Sequence, residues 1–113
     1  MDYPQVRNIV CVNDAGFVMS FGIELYDPYL KRDEVLPDVD TGNFPITQSR
    51  TIDLTSPNVG LPEGARVRPQ VRPVWGSVQE GDGWVLYDPN SGETATYQVS
   101  GVLGDYTVHL LGS

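Results

Sequence analysis

The run Phe17-Val18-Met19-Ser20-Phe21-Gly22-Ile23-Glu24-Leu25-Tyr26 decides the fold. Phe17, Met19, Phe21, Ile23 and Leu25 alternate strictly with Val18, Ser20, Gly22, Glu24 and Tyr26, which is the period of a strand with one face on a core. The odd positions are expected to point inward. Just upstream, residues 6–13 read as a strand in which Ile9, Val10, Cys11 and Val12 are apolar on both parities, as in a central strand covered on both faces. Asn13, Asp14, Ala15 and Gly16 supply the turn between the two.

Further strands are expected at residues 49–54, with Ile52 and Leu54 inward, and at 66–77, 84–87, 93–100 and 106–111. Turn chemistry separates them: Glu80, Gly81, Asp82 and Gly83 form one cluster, and Asp88, Pro89, Asn90, Ser91 and Gly92 form another. Short strands at roughly ten-residue spacing without a helical period predict an all-β, single-domain antiparallel β-sandwich of about seven short strands. Leu-Tyr-Asp-Pro occurs at residues 25–28 and again at 86–89, and reads as one strand-closing turn used twice. Pro69 and Pro73 lack their N–H on the same side of their strand, which predicts an unpaired edge there.

Residues 27–48 break the pattern with Pro28, Pro37, Gly42 and Pro45, and only residues 29–36 could form a helical turn. A connection of this length is expected to be functional or mobile.

At 113 residues the chain is sized for one domain, 1–113. Its net charge of −8 repels phosphate backbones and anionic leaflets, so general nucleic-acid binding is not expected. No apolar window approaches a transmembrane length, and the opening residues do not resemble a secretory leader. Cys11 is the single cysteine, which forbids an internal disulfide. The expectation is a soluble chain in a reducing, cytoplasmic setting, with leaderless export left open.

Catalytic chemistry has little material. A nucleophilic dyad would have to join Cys11 to His109, yet Cys11 lies in an apolar run and His109 on the polar face of the last strand. Zinc needs several His or Cys ligands and is excluded. Calcium is the one candidate cofactor: Asp38, Asp40 and Asn43 around Gly42 resemble part of an oxygen-ligand loop, with Asp33 and Glu34 nearby. Asp88, Asn90 and Glu93 have similar spacing but read as a hairpin turn.

Ligand-binding candidates are aromatic and cationic. Trp84 follows Gly83 at a hairpin and Tyr29 lies in the long connection, so these two are expected to be exposed, whereas Trp75 falls on the core parity of its strand. Arg66, Arg68 and Arg72 share the opposite face with Gln70, a row that suits a carboxylate, phosphate or sulfate. The competing reading pairs that row with acids of neighbouring strands.

The opening strand Tyr3-Pro4-Gln5-Val6-Arg7-Asn8-Ile9-Val10-Cys11-Val12, with the hairpin bearing Phe17, Met19 and Phe21, resembles the start of the aegerolysins and actinoporin-like fungal lectins. That resemblance implies binding to membrane lipids or glycans and assigns no residue. The functional expectation is a non-enzymatic binding module recognising a glycan, lipid headgroup or protein through loops at one end of the sandwich. The alternative is a structural or interaction protein, such as a homo-oligomer, and the third reading is a hydrolase using paired carboxylates.

Overall fold

In a computed structural model describing residues 3–112, the alternating patterns form β1 (Gln5–Val6), β2 (Asn8–Ala15), β3 (Met19–Asp27), β4 (Arg32–Val35), β5 (Ser49–Asp53), β6 (Arg66–Pro73), β7 (Gln79–Glu80), β8 (Val85–Tyr87), β9 (Thr94–Val102) and β10 (Asp105–Gly112). They make a two-sheet β-sandwich with no helix among the described residues. One sheet has the order β1-β8-β6-β3-β4, with β7 also on β6, and the other runs β10-β9-β2-β5. Both are mixed rather than purely antiparallel, because β1 pairs β8 and β2 pairs β9 in parallel. The turn after β2 carries the chain into the opposite sheet instead of closing a hairpin, so β2 meets a strand that is distant in sequence and runs the same way.

The core lies between the sheets. Phe21, Ile23, Val67, Val71 and Val85 face Ile9, Cys11, Ala95, Tyr97 and Val99, and all are fully buried. The odd positions of β3 do point inward, but Ser20, Gly22 and Glu24 on its other face are buried as well. The long connection covers that face. The space a Cβ would fill on Gly22 is taken by the Arg72 guanidinium and the Val39 carbonyl, so this close approach requires glycine.

Residues 27–48 are therefore pinned to the sheet through buried Val39 and Phe44, while most of the stretch between stays exposed. Instead of a helical turn, residues 29–36 hold the β3–β4 hairpin, whose bend is closed by Asp27 Oδ1 accepting from the N–H groups of Tyr29 and Leu30. Downstream, Phe44 is fully buried and exchanges backbone hydrogen bonds with Met19. β2 is central in its sheet, yet only its odd positions through Ala15 are buried, and Val10 and Val12 are half-covered.

β6 is an interior strand, contrary to the edge expected from its prolines: β3 lies on one side and β7 and β8 on the other. Pro69 accepts a hydrogen bond from Gly81 N–H on the β7–β8 side, so its missing donor faces the same side. There the partner strand is broken into two short pieces, and the ladder needs no donor at that point.

Tyr3, Pro4 and the last residues of β10 lie at one end of the sandwich. The β2–β3, β6–β7 and β9–β10 connections lie at the other.

Candidate functional site

Three connections with their flanking strand ends, residues 14–18, 74–78 and 101–105, converge at the end of the sandwich away from Tyr3. Pro73 closes β6, and the chain leaves the sheet with Val74 and Trp75 pointing into solvent. Trp75 is 87% exposed, and Val18, Val74 and Leu103, which share a cleft with it, are exposed aliphatics, as is Val102 at the same end. Gly16, Phe17, Val18, Val74, Trp75 and Leu103 line a shallow, mostly apolar cleft of about 430 Å³.

The backbone holds this apolar end in shape. Gly16 N–H donates to Gly101 C=O at 3.0 Å and Val74 N–H to Val18 C=O at 3.1 Å, joining the loops pairwise. Tyr106 O–H donates to Ser77 C=O at 2.6 Å while its ring meets Phe17 edge-on at 4.9 Å. Burial pushes the Tyr106 phenol up to about 12, which favours the protonated form that makes this bond. The exposed side chains thus stand on a prearranged platform.

At the opposite end, an open groove of about 550 Å³ runs between the β3–β4 bend and residues 62–65, with Arg66 and Leu86 along its floor. Tyr29 on its wall is 94% exposed. Arg66 lies over the Tyr26 ring at 3.9 Å, with the rings of Trp84 and Tyr3 at 5.4 and 5.7 Å, and donates to Tyr3 Oη at 3.3 Å. Trp84 is half-buried, wedged between Arg66 and Arg68.

The Arg row does share one sheet face, and the structure supplies each guanidinium with a partner. Arg68 binds Glu24 at 2.7 Å and Asp33 at 3.1 Å, and Arg72 binds Asp40 at 3.0 Å as well as Gln70 and the Val39 carbonyl. Burial raises the Glu24 carboxyl, opposed by its bond to Arg68. Arg66 alone of the three has no carboxylate within ion-pair reach among the described residues. Of the ligand-binding candidates, Tyr29 and Arg66 meet at the groove, Trp84 and Arg68 stack behind it, and Arg72 lies apart.

Asp38, Asp40 and Asn43 are all exposed. Asp40 accepts from Gly42 N–H and from Arg72, while Asp38 contributes its carbonyl to Asn58. No three His, Cys, Asp or Glu side chains gather as a metal site among the described residues. Cys11 faces the core, where burial pushes its thiol well up, and His109 is exposed two strands away, bonded to Asp82. Burial opposes ionisation of Asp82, yet bonds from Leu110 N–H and His109 outweigh it and hold the carboxyl below its usual range.

No protein-family model matches this sequence, and no curated protein does. Solved structures do. The membrane-binding domain of pneumolysin is 13% identical with a TM-score of 0.50, over 94% of this chain and 96% of that domain. Whole pneumolysin, at 12% identity, and a Gram-negative toxin, at 14%, match with the same TM-score over 94% of this chain. The chain spans about a quarter of the length of those two toxins, 23% of each. At such identities the likeness is one of fold: an all-β sandwich that also occurs as a toxin's membrane-binding domain. The resemblance to small lipid- and glycan-binding sandwiches is supported at that level and no finer.

Sequence reasoning missed the Trp75 end. It extended the β6 alternation two residues past Pro73 and so placed Trp75 in the core. The signal was Pro73 itself, followed by Gly76: a strand stop, then a turn glycine, with two large apolar residues between them.

Proposed function

We propose that the protein is a non-enzymatic binding module that lodges its Trp75 end in the interfacial layer of a lipid bilayer. The observation carrying this reading is the exposure of Trp75 at the centre of an aliphatic cluster whose loops are tied together by backbone hydrogen bonds. Contiguous apolar surface of this kind on a folded domain marks a contact site, and tryptophan is the side chain most at home between headgroup and acyl chain. A protein of the same fold described as a membrane-binding domain supports the reading by analogy.

Burying most of an exposed indole is worth about 2–3 kcal/mol after allowance for a partly wet interface. Trp75→Ala should therefore weaken partitioning onto phosphatidylcholine vesicles by roughly 30- to 150-fold, read by co-sedimentation, with melting temperature nearly unchanged because the side chain packs on little. Undiminished partitioning of the folded variant would overturn the proposal.

A second reading rests on Tyr29 and the groove at the other end, whose aromatic walls and Arg66 charge suit a glycan or a protein partner. Tyr29→Ala discriminates: it should leave vesicle binding intact and diminish retention on a glycan array only if this second surface is used.

A further inference from the structure

Charge at the Trp75 end is arranged unlike that of proteins drawn to acidic membranes. The chain has seven Lys and Arg residues, and none lies in residues 14–18, 74–78 or 101–105. The charged side chains there are Asp14 and Asp105, both exposed at the shoulders of the apolar cluster. Arg72 is the nearest cation by strand register, pairing across from Ser20, but its guanidinium is turned onto the outer sheet face and held by Asp40, Gln70 and the Val39 carbonyl. Behind the tip the whole domain carries −8.

We infer that the apolar end selects electrically neutral membrane surfaces, rich in zwitterionic headgroups, and is repelled by anionic ones. This rests on the membrane reading above and adds which membrane is taken. Insertion of Trp75 and Leu103 brings Asp14 and Asp105 up to the headgroup plane, within a Debye length of the surface charge. At an anionic leaflet each carboxylate meets a negative potential with no neighbouring cation to offset it, the reverse of the polybasic attraction that most peripheral proteins use. The hydrophobic gain is the same on either surface, so the electrostatic term alone sets the preference.

The test compares phosphatidylcholine vesicles with vesicles containing roughly a third phosphatidylserine, by co-sedimentation of the full chain. At low salt, binding to the anionic vesicles should be about ten- to thirtyfold weaker. The gap should close toward parity at about 0.5 M salt, where screening shortens the field to a few ångströms. The pair Asp14→Asn and Asp105→Asn should recover at least about threefold of the lost affinity at low salt. Gln98 donates to the Asp14 carboxylate at 2.7 Å, and the amide introduced by Asp14→Asn keeps a carbonyl oxygen to accept that bond, so the variant should melt like the parent. Equal or tighter binding to the anionic vesicles, or a gap indifferent to salt and to the two substitutions, would overturn the charge inference while leaving membrane binding standing. No binding to neutral vesicles by the folded chain would overturn the membrane reading itself.

Discussion

The two ends of the sandwich use aromatic side chains in opposite ways. At the Arg66 end, Tyr3, Tyr26 and Trp84 pack against guanidinium planes, and Arg68 behind them is bound to Glu24 and Asp33. At the Trp75 end the indole stacks on no cation among the described residues and faces water. Stacking cations on aromatic faces satisfies both partners and makes scaffold. An aromatic left over, on loops tied together by backbone hydrogen bonds, is available to something outside the molecule. Exposure alone does not separate the two ends, since Tyr29 is as bare as Trp75; the difference lies in what surrounds each residue.

That contrast predicts different kinds of damage. The largest effect should come from Arg68→Ala, which strips Glu24, only 5% exposed at its side chain, of its charge partner and opens space beside Trp84. Leaving such a carboxylate uncompensated should cost about 2–3 kcal/mol, a drop in melting temperature of roughly 10 °C. Vesicle binding by the still-folded fraction should be unchanged, and parallel loss of both would erase the distinction between the ends. A smaller effect is expected from Tyr106→Phe, which removes the bond to Ser77 and costs about 1 kcal/mol. Here the loss should appear in both assays, because the released 74–78 loop no longer presents Trp75 in one orientation. The smallest concerns calcium, whose candidate ligand Asp40 already carries Arg72 and Gly42 N–H. Millimolar calcium should move the melting temperature by less than about 1 °C, and a rise of several degrees would show that Asp38, Asp40 and Asn43 rearrange around the ion.

Much of the architecture was legible because β3 and the C-terminal strands write their burial in period two, and Gly, Pro and Asp mark the turns between them. The parallel pairing of β2 with β9 was not, since nothing local distinguishes a strand with a parallel neighbour from one with an antiparallel neighbour. The two-residue period alone puts Arg66, Arg68 and Arg72 on one face, as the alternating burial of β6 shows. The row's partners Glu24, Asp33 and Asp40 lie 44, 35 and 32 positions away and reach it only through the β3–β6 pairing and the folded-back connection. The apolar end was illegible for a similar reason. Val18, Val74 and Leu103 each look like a stray hydrophobe beside a turn, and only the sandwich gathers them around Trp75.

Tyr3 and the last residues of β10 lie at the end opposite Trp75, which sets how the domain bears a load. With the tip held and the chain pulled from Tyr3 or from β10, tension runs along the strands rather than across them. The parallel register of β2 on β9, from Asn8 opposite Thr94 to Ala15 opposite Gly101, is then loaded in shear. Its evenly spaced cross-strand bonds lie across the pull and share it together instead of parting one at a time. A domain wired in this way transmits force from one end to the other along its strands without opening its core.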